Sequence, residues 1–162
     1  MKTNMKDNLK IKQDRREITE VIVHSSATPE GANFTVDDID RWHRRRNFRC
    51  IGYHFVVYLD GSIHPGRPVE EMGAHCPANR HNYHSIGVCY IGGVAKDGHT
   101  PKDTRTHEQK QAMQELLMKI KEVYPKIKIY GHRDFMATDC PSFDARTEYL
   151  AISNNDIKSA LP

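Results

Sequence analysis

Two hydrophobic periods divide this 162-residue chain. Ile18 and Val21 to Val23 form a compact β-branched block that runs into a Ser/Thr/Pro/Gly cluster from Ser25 to Gly31, which predicts a buried strand ending at His24. Val36, Ile39, Trp42 and His43 then recur at helical spacing, behind an N-cap pair of Thr35 and Asp38. Tyr53 to Leu59 has the apolar, aromatic character of a strand, and Asp60-Gly61 turns it into a second one at Ser62 to His64. A polar stretch rich in Gly, Pro, Asn and His follows, from Pro65 to His84. Connections of that length inside a compact domain are usually functional. Ser85 to Ile91 is another apolar strand, closed by Gly92-Gly93. Thr106 and Gln109 form a capping box for the strongest helix, in which Met113, Leu116, Leu117, Ile120, Val123 and Tyr124 share one face until Pro125 stops it. Ile127 to Tyr130 is a short strand, Gly131 to Ser142 a loop, and about Asp144 to Ile152 a final helix. The order β–α–β–β–β–α–β–α predicts an α/β fold: a single domain with a mixed central β-sheet flanked by helices.

Length and composition narrow the class. One domain of this size can bury a real core. No apolar run approaches the ~20 residues of a membrane-spanning helix. The net charge of +3 is local: residues 1–17 hold six basic and three acidic side chains, so residues 18–162 are formally neutral. That division sets a basic lead-in, residues 1–17, apart from a domain at residues 18–162. The arginines of RWHRRRNFR (Arg41, Arg44, Arg45, Arg46 and Arg49) are the best case for a phosphate-binding face, but the neutral body argues against nucleic acid as a partner. None of the four cysteines forms a C-x-x-C pair, and MKTNMKDNLKIKQ has neither the apolar core nor the cleavage site of a secretory signal. The expectation is therefore synthesis in a reducing cytosol, with thiols free or metal-bound.

Three residues stand where a scaffold presents reactive groups: His24 at a strand end, His132 after the last strand, and Cys140 eight positions later in the same loop. A catalytic zinc takes three protein ligands and keeps one position open. Two neutral imidazoles and a thiolate leave such a site at about +1, which lowers the pKa of water there to roughly 7. On spacing alone, H-x7-C with a distant third histidine is more often a set of unrelated side chains.

The surrounding strings carry more information. VIVHSSAT, GYHFVVYLDGSIHPGRP, GAHCPANRHNYHSIGVCYIGG and IYGHRDFMATDCPSFD occur in that order. From about Ile18 to Leu150 the chain resembles the type 2 N-acetylmuramoyl-L-alanine amidases, the family of phage endolysins that includes the peptidoglycan recognition proteins. The resemblance implies their fold and a zinc ion held by His24, His132 and Cys140. It implies catalytic roles for Tyr53, in the G-Y-H-F motif, and for Thr138, two residues before the cysteine. The phage branch has a lysine at that second position, whereas recognition proteins commonly have threonine. It also implies a substrate-cleft place for His75 and a bracing or substrate-binding role for Asn82. Arg67, in GRP, is expected to meet a peptide carboxylate. The implied reaction is zinc-dependent hydrolysis of the amide between N-acetylmuramic acid and L-alanine, in the manner of a phage or prophage endolysin. Peptidoglycan is the expected partner, the cell wall the site of action, and a monomer the expected state. The alternative is a peptidoglycan-binding protein of the same fold that does not hydrolyse.

Overall fold

The computed structural model describes residues 16–156; most of the basic lead-in, residues 1–15, lies outside the described residues. In chain order the elements are β1 (Glu20–Ser25), β2 (Thr28–Pro29), α1 (Val36–Arg45), β3 (Phe55–Val57), β4 (Ile63–Pro65), β5 (Ser85–Tyr90), β6 (Gly93–Val94), α2 (His107–Val123), β7 (Lys128–Gly131), α3 (Ala145–Glu148) and α4 (Leu150–Ser153). Five strands form one mixed sheet in the order β4-β3-β5-β1-β7. β1 runs parallel to β5 and β7, β3 parallel to β5, and β4 antiparallel to β3.

Strand alternation divides the sheet into two faces. Val21, Val23, Val57, Ile86 and Val88 pack with Met113, Leu116, Leu117 and Ile120 of α2 and with Tyr149 and Ile152 near the C-terminal end. On the opposite face Val56 and Ile91 meet Ile39 of α1, with Phe34, Trp42 and Tyr53 around them. Each fully buried Leu or Ile contributes on the order of 1.5–3 kcal/mol. α2 is fixed by a polar tie as well. Gln109 closes the capping box with Thr106, and its Nε2 donates to the carbonyls of Val57 at 3.2 Å and Ile91 at 3.0 Å. One buried side chain thus joins the helix start to β3 and to the end of β5. The expected Thr35–Asp38 box at the start of α1 is present too.

Beyond one-residue shifts in β4, β5 and β7, the elements differ from expectation in four places. β1 continues through Ser25 because His24 and Ser25 still pair with Cys89 and Tyr90 of β5. β3 is shorter than Tyr53–Leu59, since the carbonyls of Tyr53 and His54 accept from Arg67 and Gly66 in the following loop rather than from a regular ladder. The final helix splits into α3 and α4 at Tyr149, whose buried ring packs against Phe143. β2 and β6 form a separate two-residue parallel pair, too short to leave any periodicity in the sequence.

The parallel strands β1, β5 and β7 end on the same edge of the sheet. Crevices beyond the carboxyl ends of parallel strands are where open α/β sheets bind ligands. Arg16, the first described residue, reaches the far side of the molecule's long loop: Nε donates to the Val69 carbonyl at 3.1 Å and Nη1 to the Asn82 and Ser85 carbonyls at 3.3 Å each.

Replacing Gln109 by Leu removes both carbonyl contacts and leaves the Ile91 oxygen buried without this donor. Urea unfolding should show a loss of about 1–3 kcal/mol.

Candidate metal centre

His24 projects from the carboxyl end of β1, on the same side of the sheet as Cys89, its register partner in β5. His132 opens a 3-10 turn (His132–Asp134) directly after β7. The loop that follows is clamped at several points. Asp134 accepts the Gly131 N–H at 2.7 Å, the Cys140 carbonyl accepts the Arg133 N–H at 2.8 Å, and the Tyr90 hydroxyl donates to the Pro141 carbonyl at 2.7 Å. Ser142 donates to the Gly93 carbonyl at 2.7 Å. Cys140 is thereby returned to the end of β1, where its sulfur accepts the Ser25 N–H at 3.2 Å.

The ligand atoms of His24, His132 and Cys140 all lie within 4.8 Å of one another. Cys140 Sγ is 3.7 Å from His24 Nδ1, and the two imidazole rings are 4.6 Å apart between centroids. Donor atoms around a tetrahedral zinc, with bonds of about 2.0–2.3 Å, are roughly 3.3–3.7 Å apart. The Cys140–His24 pair already stands at that separation, and the whole set, within 4.8 Å, would close around a zinc ion by no more than about 1 Å. Its chemistry fits as well: two imidazoles and one sulfur suit a borderline-soft cation.

Burial, reinforced by the imidazoles of His75 and His132, holds His24 well below the ordinary histidine range, and burial lowers His132 too. Both are neutral at pH 7, the form that offers a lone pair. Burial pushes the Cys140 thiol up to about 11, against the opposing hydrogen bond from Ser25.

Tyr53 stands beside this group, its ring 5.0 Å from that of His24 and 5.3 Å from that of His43. Burial, with Cys89 and Cys140 adding to it, raises the phenol well above its usual value. It is a proton-bearing donor at neutral pH. His43 supports the same corner from α1: its Nδ1 accepts the Gly52 N–H at 2.9 Å, and burial lowers its pKa to about 4. Neither Cys89 nor His43 stood out in the sequence. A cysteine inside an apolar strand and a histidine inside an arginine-rich helix carry no local mark of what they touch.

Comparison with known proteins decides the family. The model of the N-acetylmuramoyl-L-alanine amidase family matches residues 14–143. The chain belongs to that family. It is 35% identical over 130 residues to an endolysin of Enterobacteria phage K11, covering 80% of this chain and 84% of that protein. Against an endolysin of Escherichia phage T7 it is 35% identical over 133 residues, covering 82% and 86%. The solved N-acetylmuramoyl-L-alanine amidase LysC from Clostridium intestinale superposes with a TM-score of 0.71 at 25% identity, over 86% of this chain and 87% of that one. A Drosophila PGRP-LB mutant in complex with tracheal cytotoxin gives 0.69 at 26% identity, over 85% and 83%.

In this amidase the remaining expected site residues have distinct surroundings. Thr138 is exposed at the mouth of the loop, its hydroxyl accepting the Cys140 N–H at 3.3 Å. Asn82 points its Oδ1 at the backbone, accepting the N–H groups of His75 at 3.0 Å and Cys76 at 2.8 Å. Arg67 was expected to meet a peptide carboxylate. Its side chain is turned into the fold and donates to the carbonyls of Ile51 at 3.0 Å, Met72 at 2.8 Å and Cys50 at 3.3 Å. A planar fork with several donors ties a loop together better than any shorter side chain, and Arg67 joins Cys50, Ile51 and Met72 in this way. His75 is buried, with both ring nitrogens engaged. His54 is also buried: Nδ1 accepts the Gly87 N–H at 3.0 Å and Nε2 donates to the Glu71 carbonyl at 2.8 Å. Along the basic stretch RWHRRRNFR, Arg41 pairs with Asp38, Arg44 with Asp40 at 2.7 Å, and Arg49, beyond the end of α1, with Glu71. Three of its five arginines thus have carboxylate partners, which weakens the case for a phosphate-binding face. No described helix is long and apolar enough to cross a membrane.

Asn82→Ala leaves two loop N–H groups without their acceptor. Hydrogen exchange at the His75 and Cys76 amides should quicken by about tenfold or more, with a stability loss of about 1–3 kcal/mol.

Proposed function

We propose that this amidase is a zinc-dependent peptidoglycan hydrolase of the endolysin type, cutting the bond between the lactyl group of N-acetylmuramic acid and the L-alanine of the stem peptide. The observation that carries the reading is the convergence of His24, His132 and Cys140 to within 4.8 Å beside a protonated Tyr53. The endolysins and amidases it is similar to support the same substrate class.

A zinc ion bound there supplies Lewis acidity toward the scissile carbonyl and acidifies water. The chain supplies the rest. His24 and His132 offer neutral nitrogens, and the Ser25 N–H holds the Cys140 sulfur in place. Tyr53 donates a hydrogen bond where negative charge develops on the carbonyl oxygen, and its proton is available to the departing L-alanine amine. Thr138 adds a hydroxyl at the mouth of the site, without the positive charge that a lysine would bring. The full donor set next to Tyr53 favours hydrolysis over binding alone.

Mass spectrometry of digested peptidoglycan should find stem peptides with a free L-alanine amine. Intact glycopeptide after prolonged digestion by zinc-loaded protein would overturn the hydrolytic reading. A strong chelator should abolish product release, and added zinc should restore it. Tyr53→Phe should lower kcat by about 10²–10³ with zinc content unchanged. Thr138→Ala should lower turnover by about tenfold with zinc still bound; unchanged turnover would remove Thr138 from the mechanism.

A further inference from the structure

His75 was expected in the substrate cleft, yet it is 6% exposed and its ring faces inward. Its Nδ1 lies 2.8 Å from His24 Nε2, with the two rings perpendicular. Its Nε2 lies 3.2 Å from the hydroxyl of Ser85, at the start of β5. Both nitrogens are therefore taken up by buried neighbours.

The slot around this ring is closely built. A Cβ placed on Gly73 would come within 2.6 Å of the His75 Cδ2, and one on Gly87 within 2.7 Å of the same atom. The ring is thus held between two positions that admit no side chain. Its backbone is pinned by Asn82, which accepts the N–H groups of His75 and Cys76. Ring orientation, backbone position and both ring contacts are all fixed independently of any substrate.

One proton sits between His24 Nε2 and His75 Nδ1, and its side decides what His24 can offer. If His75 donates, a neutral His24 must carry its own proton on Nδ1, the nitrogen 3.7 Å from Cys140 Sγ. If His24 donates from Nε2, its Nδ1 lone pair is free, and His75 carries its proton on Nε2, where the Ser85 oxygen accepts it. Only the second arrangement gives the three-residue group a nitrogen ligand from β1.

We propose that His75 is a positioning residue: its Nδ1 accepts the Nε2 proton of His24, fixes the His24 tautomer and ring angle, and so presents Nδ1 to the metal, with Ser85 holding the far end of the relay. This rests on the zinc reading above and goes beyond it. His75 touches neither substrate nor metal; it acts through His24.

The test is zinc affinity, measured by chelator competition, together with 15N imidazole spectra of the zinc-loaded protein. His75→Phe fills the slot without an acceptor and should weaken zinc binding by about 10–100-fold. His75→Asn restores an oxygen acceptor near the Nδ1 position and should recover most of the loss, to within about threefold of wild type. A space-filling role predicts the opposite order, with Phe tolerated and Asn not. If either variant fails to fold, the wild-type spectrum still decides: His75 should carry its proton on Nε2 and none on Nδ1. A proton on His75 Nδ1, or zinc held as tightly by His75→Phe as by wild type, overturns the positioning role alone. Wild-type protein that takes up no zinc overturns the metal reading and this inference with it.

Discussion

The parallel pairing of β1 with β7 is the constraint on which the site depends. The register sets Val23 opposite Gly131, so the residues that follow them, His24 in β1 and His132 just beyond β7, emerge at one edge. Two histidines 108 positions apart become neighbours through backbone geometry alone. Cys140 needs a different device, because a loop has no register. Its return to β1 is secured by Tyr90, Ser142, Arg133 and the Ser25 N–H, contacts made by strand ends and by the loop itself. The sheet supplies precision for two of the groups and an anchor for the third.

Around that edge the polar side chains form a layered network rather than isolated contacts. Buried histidines are stable only if their nitrogens find partners. His24, His43, His54 and His75 each have at least one hydrogen-bonding partner, and no buried side-chain nitrogen or oxygen among the described residues lacks one. Such a network narrows the orientations open to each ring. Rigidity of that kind suits a centre whose donors must already face one another before any ion or substrate arrives.

Much of the scaffold was readable in the residues. The Thr106–Gln109 and Thr35–Asp38 boxes marked both long helices, because a cap is a local event three residues long. The β-branched blocks marked β1 and β5 because burial on both faces of a sheet leaves a continuous apolar run. His24, His132, Cys140 and Tyr53 were readable only through motifs; spacing by itself could not tell them from scattered side chains. What escaped was what depends on contacts distant in sequence. Nothing local to GRP says that the Arg67 guanidinium turns inward to three carbonyls. Nothing local to GAH says that the imidazole meets the ring of His24 on β1. The break at Tyr149 was hidden for a related reason: its aromatic ring fits a helical stripe equally well whether the backbone continues or bends.

Arg16 has a consequence of a practical kind. Its guanidinium reaches across to Val69, Asn82 and Ser85, the last two of which also hold His75. Arg16 is thus a strut for the loop that carries His75. An affinity tag or fusion partner spliced directly onto Glu17 would remove that strut and loosen the loop it braces.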